Sequence, residues 1–266
     1  MKIQRKPVPS VLKLKFSYRF EDPVWEIKSS SRSLLVNTRN SETLNSQFSL
    51  VDISEPVLLW EGLQFEDEWW VSAYAVLGEL AVFQKFEDTQ DIEARSVFVF
   101  HLNDHEVLWS EEDLQIYGLT DETIQIKKGD SDELIHLSLL DGTAYEQKVA
   151  SKRVDRVNYP LHYEPDNAHF ETLARFLKSQ VGITLDGSCD YLEYGSLIFI
   201  AANHVINSQK TLTLYVFDEK GALLFEELLE TGVKGLVSGA FFIAEDALIF
   251  VTEKKELKIY SINEKV

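Results

Sequence analysis

Short runs of alternating apolar and polar residues dominate the chain, and pairs of these runs are joined by Asp, Asn and Gly. The segment FSLVDISEPVLLW, Phe48 to Trp60, has this form, with a polar turn between two apolar runs. Alternation with a period of two predicts strands, and these turn residues tolerate the dihedral angles of a tight hairpin. The pattern therefore predicts a recurring β-hairpin. Further copies are predicted at Val97–Trp109, Leu134–Glu146 and Leu212–Glu226.

Two more apolar runs precede each hairpin, which gives units of four predicted strands. The runs VWEIKSSS and SLLVNTR, for example, stand before the first hairpin. The C-terminal part of the chain, from LVSGAFFI to ELKIYSI, supplies three strands and no fourth. The N-terminal run LKLKFSYRF, Leu12 to Phe20, is the predicted fourth strand of this last unit. Five four-stranded units result.

The spacing of the turns predicts how these units are arranged. Asp52 to Asn103 is 51 positions and Asn103 to Asp141 is 38, close to the roughly 40 to 50 residues of a propeller blade. Radial packing would cover both faces of each small sheet. We predict an all-β, five-bladed β-propeller or propeller-like domain over residues 1–266, with the N-terminal strand closing the last blade. A sandwich or an irregular α+β fold is the alternative.

An insertion is predicted between the third and fourth blades, at residues 158–182, because Asp141 to Asp218 is 77 positions. Its apolar residues follow the i, i+3, i+4 spacing of an amphipathic helix. These residues are Phe170, Leu173, Ala174, Leu177 and Val181. Asp166 or Asn167 is predicted to cap the start of the helix, and Gly182 to end it.

The start of this insertion is the candidate binding surface, since Tyr159, His162, Tyr163 and His169 cluster there. Aromatic side chains with polar tips and imidazoles are typical of sites that hold small polar molecules. We therefore predict a ligand or partner surface; the alternative is a helix that only covers an exposed sheet. The two histidines lie seven positions apart and lack the one-turn spacing of a helical metal site. No metal or cofactor is predicted.

A catalytic function depends on carboxylates in the predicted first strands of the blades. The sequence has no glycine-rich phosphate loop, nucleophile elbow, CxxC or HExxH motif. Glycoside hydrolysis needs a pair of carboxyl groups at a set separation. Glu26, Asp190 and Glu193 are the candidates for such a pair. An enzyme of this kind is the alternative hypothesis.

The tryptophans divide into two groups. Trp60 and Trp109 end equivalent hairpins, and this equivalence predicts a packing role, since a binding site would need only one of them. Trp69 and Trp70 stand at the start of a predicted strand, where adjacent residues point to opposite faces. Core packing is predicted for this pair, and a stacking platform for a sugar or base is the alternative.

Composition and charge narrow the classes of partner. The chain is 45% hydrophobic with five tryptophans, enough for a packed core, and its formal net charge is −18. This charge repels phosphate backbones and anionic lipids, so we predict neither a nucleic-acid nor a membrane partner.

Cys189 is the only cysteine and cannot form an intrachain disulfide. Lys13 and Lys15 interrupt the apolar run nearest the N-terminus, so this run is not predicted to be a signal peptide. A cytoplasmic location is predicted.

Three segments resemble an uncharacterised bacterial family that is classed as a domain of unknown function with degenerate propeller-like repeats. They are GLVSGAFFIAEDALIFVTEKKELKIYSI, DEWWVSA and YPLHYEPDNAHF, and the resemblance extends from about Trp25 to Ile262. The resemblance implies a small β protein built from repeats, and no functional residues come with it. We therefore predict a non-catalytic module that binds a protein or a small ligand.

Overall fold

The computed structural model describes residues 11–66, 68–87, 95–129, 131, 133–145, 157–232 and 239–263. Parts of three quoted segments lie outside the described residues: 146 in the third hairpin, 67 in DEWWVSA and 235–238 in the last segment. The described chain is nearly all antiparallel β-structure with one α-helix, as the alternation predicts. None of the described helices is long and apolar enough to cross a membrane.

The chain forms two compact units. Residues 1–21 and 157–266 form one, called here the terminal unit, and residues 22–156 form the other, called the central unit. The strands are β1 (Leu12–Arg19), β2 (Val24–Ser29), β3 (Ser33–Asn40), β4 (Asn45–Asp52), β5 (Val57–Leu63), β6 (Val71–Leu77), β7 (Leu80–Phe86), β8 (Arg95–His101), β9 (Glu106–Glu112), β10 (Leu114–Leu119), β11 (Thr123–Lys128), β12 (Leu134–Ser138), β13 (Val157–Asn158), β14 (Leu161–Tyr163), β15 (Leu185–Tyr194), β16 (Leu197–Ile206), β17 (Gln209–Asp218), β18 (Leu223–Thr231), β19 (Phe241–Ala244), β20 (Ala247–Thr252) and β21 (Glu256–Ile262). The helix, α1, is Phe170–Gln180.

Three sheets make up the central unit, and their strands are consecutive: β2 to β5, β6 to β9, and β10 to β12. The first two have the four strands that the hairpin pattern predicts. The third has three, and an isolated bridge between Leu137 and Ala144 stands where a fourth was predicted. Asp141 Oδ1 accepts the backbone N–H of Thr143 (3.1 Å), and this turn brings the chain back for that single bridge.

A repeated contact joins consecutive sheets of the central unit. The indole N–H of Trp60 donates to the carbonyl of Leu102 (3.1 Å), and that of Trp109 donates to the carbonyl of Leu139 (2.9 Å). Each acceptor directly follows the third strand of the next sheet. The predicted packing role of these two tryptophans is confirmed.

Two five-stranded sheets make up the terminal unit. One has the order β1-β21-β20-β19-β13, and the other has the order β14-β15-β16-β17-β18. Strand β1 pairs antiparallel with β21, from Leu12 opposite Ile262 to Arg19 opposite Glu256. This pairing of the first and last strands is the one that the sequence pattern predicts.

Helix α1 packs on one face of the sheet β14 to β18. Leu173 and Leu177 are buried on its inner side, in a core with Cys189 and Phe217. The backbone N–H of Gly182 donates to the carbonyl of Leu177 (3.2 Å) with a φ of 75°, so the predicted end of the helix is confirmed.

The start of the helix differs from its prediction. His169, rather than Asp166 or Asn167, is the N-cap residue, and its side chain makes no capping hydrogen bond. The side chain of Asn167 accepts the backbone N–H of His169 (2.9 Å) instead. The prediction was wrong because this polar side chain closes a turn ahead of the helix, and short polar side chains favour both roles.

Candidate functional site

His162 and Asp190 meet on one face of the sheet β14 to β18. They are directly opposite each other in the pairing of β14 with β15. Nδ1 of His162 donates a hydrogen bond to Oδ1 of Asp190 over 2.6 Å. The Asp190 side chain is 1% exposed and that of His162 is 26% exposed. His162 was predicted as part of a ligand surface and Asp190 as a candidate catalytic carboxylate. The two residues are therefore hydrogen-bond partners.

The second carboxylate oxygen of Asp190 is also occupied. Oδ2 accepts the backbone N–H of Ala240 (2.9 Å), directly before β19. Asp190 thus links the two sheets of the terminal unit. The two hydrogen bonds also offset the loss of hydration of this buried carboxylate. Because Nδ1 of His162 is bound to Asp190, a ligand would meet Nε2 of the ring. A carboxylate that orients an imidazole in this way is used in general acid–base catalysis and in binding alike.

Tyr163 and His169 lie on the other face of this sheet, next to helix α1. Tyr163 is opposite Cys189 in the register, one position along from the His162 pair. Its ring lies 5.9 Å from the His169 ring and 6.1 Å from the Tyr191 ring. Because adjacent strand residues point to opposite faces, the predicted cluster divides between the two faces.

Tyr159 precedes β14 and packs against a different sheet. Its ring lies 5.6 Å from that of Phe242 in β19. Tyr159 remains 57% exposed, and Leu161 is 61% exposed. Leu161 is adjacent to His162 in β14, so its side chain projects from the face opposite His162, on the side of Tyr163.

The other candidate carboxylates occupy separate places. Glu26, in the central unit, accepts the backbone N–H of Ala73 (3.2 Å) and pairs with Lys28 (3.2 Å). Glu193 accepts a hydrogen bond from the hydroxyl of Tyr191. Burial, and then this hydrogen bond, raise the pKa of that hydroxyl. Asp190 and Glu193 are three positions apart in a regularly paired stretch of β15 and therefore project from opposite faces. They do not face each other across a common space.

Cys189 is buried between the sheet and helix α1. Burial, and then the charge of Asp190, raise the pKa of its thiol to about 12. The side chain is a neutral thiol at physiological pH. It serves as a small apolar core residue.

Tryptophan and arginine form a stacked group in the central unit. The guanidinium of Arg39 lies 5.2 Å from the ring centre of Trp25 and 5.4 Å from that of Trp69. Trp69 and Trp70 belong to a 3₁₀ turn at Glu68–Trp70. The prediction that they begin a strand was wrong, since β6 starts one residue later.

Equivalent β-bulges expose an aromatic residue in each sheet of the central unit. The unpaired residues in β2, β6 and β10 are Trp25, Tyr74 and Tyr117. They are 65%, 36% and 54% exposed. A bulge turns a side chain away from the regular pleat, which explains why these aromatic side chains are not in the core.

A cleft of about 920 Å³ opens beside the end of helix α1, over β16, β17 and β18. We call it the His204 cleft after the buried histidine in its lining. Nε2 of His204 lies 2.9 Å from the Thr213 hydroxyl and 3.4 Å from the Tyr215 hydroxyl. Val205 and Ile206, which also line it, are 51% and 45% exposed. A group of buried polar atoms within an exposed apolar border is typical of small-molecule sites.

Burial sets the charge state of the polar residues in the cleft. It lowers the pKa of His204, and the charge of Glu226 opposes this effect. Burial, followed by the charge of Glu226, raises the pKa of Tyr215 to about 12. Both side chains are therefore neutral at physiological pH.

The His204 cleft was not predicted from the sequence. Its residues come from separated strands and from the chain after helix α1. The available signal was a histidine at the end of the apolar run LIFIAANHVI, together with threonines in the strand that follows. No three His, Cys, Asp or Glu side chains are grouped as a metal site in the described part of the chain.

Comparisons with solved structures give matches of low similarity. The chain aligns with a europium-containing methanol dehydrogenase (9% identity, TM-score 0.30), covering 90% of this chain and 47% of that one. It thus spans about half the length of that protein. It also aligns with the β-propeller domain of the Trilobed protease from Pyrococcus furiosus (10% identity, TM-score 0.30), covering 95% and 70%. A DUF4221 family member from Bacteroides vulgatus aligns at 10% identity and a TM-score of 0.25, covering 94% and 97%.

Sequence comparisons give one family match. Comparison with curated proteins finds no match. Residues 27–109, which include β3 to β8, half of β2 and most of β9, match the model of a domain of unknown function, DUF4905. The predicted resemblance to an uncharacterised family is confirmed over this part of the chain.

Proposed function

We propose that the protein is a non-catalytic binding module with a five-bladed, propeller-like fold, and that it holds a small molecule in the His204 cleft. Five antiparallel sheets of mainly consecutive strands, with β1 added to the last one, support the fold proposal. The single cysteine, Cys189, supports a cytoplasmic location, because no intrachain disulfide can form.

The cleft itself is the observation that carries this proposal. Its volume of about 920 Å³ lies within the usual range for ligand pockets, roughly 300 to 1,000 Å³. His204 and Tyr215, 4% and 2% exposed, provide polar atoms at its base. The apolar residues Val205, Ile206 and Leu223 also line the cleft and are 51%, 45% and 43% exposed. A ligand in the cleft would cover these apolar side chains and remove them from water.

A fragment screen by ligand-observed NMR tests the proposal. A set of small aromatic and aliphatic fragments would be screened against the full chain and against Leu223→Trp, which places a large ring at the cleft border. Leu224→Trp is the matched control, since Leu224 is the next residue of β18 and does not line the cleft. We expect fragments that bind the wild type and Leu224→Trp but not Leu223→Trp. Absence of binding, or binding unaffected by Leu223→Trp, would overturn the proposal.

We also propose the start of the insertion as a surface for a protein partner. Tyr159 and Leu161 are exposed, and they closely precede in the chain a histidine that Asp190 holds in one orientation on the other face of β14. Rigid aromatic side chains and fixed polar groups are typical of interaction hot spots. Partners retained by the full chain should be lost from Leu161→Asp. They should be kept by Leu44→Asp, a control of similar exposure (57%) in the central unit. Equal retention by both variants would exclude this surface.

A further inference from the structure

We infer that the ligand of the His204 cleft is a protonated amine attached to an apolar body. This inference rests on the proposed function and names the chemical class that the cleft would select. Three features of the lining support it: its charge, its polar base and its apolar border.

The charge of the lining favours a cation. The described residues that line the cleft include Asp186 and Glu226 and contain no Lys or Arg. Asp186 is neutralised by Lys210, whose Nζ lies 3.0 Å from its carboxylate. Glu226 makes no ion pair with any described residue. One carboxylate therefore remains for a positively charged ligand, and the net charge of −18 adds to the attraction.

Glu226 is placed to act on the base of the cleft. It is directly opposite Tyr215 in the pairing of β17 with β18. Glu226, Tyr215 and His204 line the same cleft, and the charge of Glu226 acts on the pKa of the other two side chains. An ammonium group between them would have an anionic partner and hydroxyl oxygens as hydrogen-bond acceptors.

The polar base offers acceptors and no positive charge. Burial keeps His204 neutral, and its Nε2 shares hydrogen bonds with the hydroxyls of Thr213 and Tyr215. An anionic ligand would have to approach Glu226 with no cation of the lining to offset the repulsion. The base therefore disfavours carboxylates and phosphates.

The apolar border defines the rest of the ligand. Val205, Ile206 and Leu223 are exposed and line the cleft. Covering such side chains removes apolar area from water, which stabilises a complex by roughly 25 cal/mol per Å² of buried area. A ligand with a ring or a short alkyl chain would make this contact while its ammonium group reaches Glu226.

Three probes of one shape and different charge test the class. Benzylammonium, benzyl alcohol and benzoate would be titrated against the full chain at pH 7.5 and followed by NMR. We expect benzylammonium to bind about fivefold more tightly than benzyl alcohol, because its charge is attracted by one carboxylate and solvent partly screens that attraction. Benzoate should bind most weakly. Equal affinities for the three probes would overturn the amine assignment and leave the cleft as a binding site.

Glu226→Gln isolates the proposed charge contact. It should reduce benzylammonium affinity about fivefold and leave benzyl alcohol affinity unchanged. Glu219→Gln is the control, since it makes the same change of net charge in the turn between β17 and β18, outside the lining. An equal loss in both variants would assign the effect to net charge and overturn the contact. If fragments bind the cleft but none of these probes does, the amine class fails; if no fragment binds, the proposed function fails.

Discussion

Helix α1 and the His204 cleft occupy two parts of one face of the same sheet. Strands β16 and β17 contribute to both. Under the helix they supply Ile200, Ala202 and Phe217, which are all buried and apolar. Past the end of the helix they supply His204 and Thr213, which are buried and polar.

This difference separates a surface that a helix covers from one that is left open. Apolar side chains under a helix gain free energy by leaving water, and they need no partner beyond the helix itself. Buried polar side chains lose hydration and must be paired to recover it. Their concentration in the open part of the sheet, with exposed Val205 and Ile206 around them, is not required by packing.

The largest expected effect is a loss of stability under the helix. Leu177 is 0% exposed, so Leu177→Ala should lower the free energy of unfolding by about 2 to 5 kcal/mol. Leu223→Ala, at the border of the cleft and 43% exposed, should change it by about 0.5 kcal/mol or less. Urea unfolding followed by circular dichroism measures both. Similar losses in the two variants would show that the cleft border is packed like the helix interface.

A substitution of Asp190 tests the hydrogen bonds on the opposite face of this sheet. Asp190→Asn removes the charge that holds His162 and weakens the link to Ala240, so we expect a loss of about 1 to 3 kcal/mol. Asp186→Asn is the matched control. Its ion pair with Lys210 is exposed, and its loss should cost less than about 1 kcal/mol. A stability of Asp190→Asn equal to that of Asp186→Asn would contradict a structural role for the buried carboxylate.

A substitution of Thr213 tests whether water reaches the base of the cleft. Thr213→Val removes the hydroxyl bonded to His204 and keeps the side-chain shape. We expect a loss of about 1 kcal/mol, since water in an open cleft can replace part of the lost hydrogen bond. The measurement is the urea midpoint at neutral pH. A loss above about 3 kcal/mol would mean that water does not reach His204.

The smallest expected effect is a dependence of stability on pH through His204. Its pKa is lowered in the folded protein, so between that value and about 6.5 the unfolded chain binds more protons. Stability therefore falls as the pH decreases below about 6.5. His204→Gln should lose less stability than the wild type between pH 7 and pH 5. A wild-type profile in His204→Gln would show that this histidine does not titrate differently on folding.

Local patterns predicted the strands and the contacts that repeat. The alternation in Phe48–Trp60 predicts its hairpin because side chains on a strand alternate between faces, whatever the rest of the chain does. The equivalent positions of Trp60 and Trp109 predict packing, and both donate to the next sheet. The helix Phe170–Gln180 follows from its spacing of apolar residues, although its cap lies after the predicted one.

Pairing across the chain was only partly accessible to such patterns. The N-terminal strand was matched to the last sheet because that sheet lacked a fourth strand. Nothing local indicated that β13 and β14, two and three residues long, would join different sheets on either side of Pro160. Strands this short carry too few residues for a periodic signal.

Local periodicity and composition were enough to predict an almost entirely β, acidic protein with repeated hairpins, one amphipathic helix and no intrachain disulfide. The contacts between polar residues follow instead from how the strands pair. Register places Asp190 opposite His162 and Glu226 opposite Tyr215. Because helix α1 ends at Gln180, His204 faces a cleft instead of a core under the helix. Such contacts depend on strand register and on the reach of one helix, and both are fixed by packing between residues far apart in the chain.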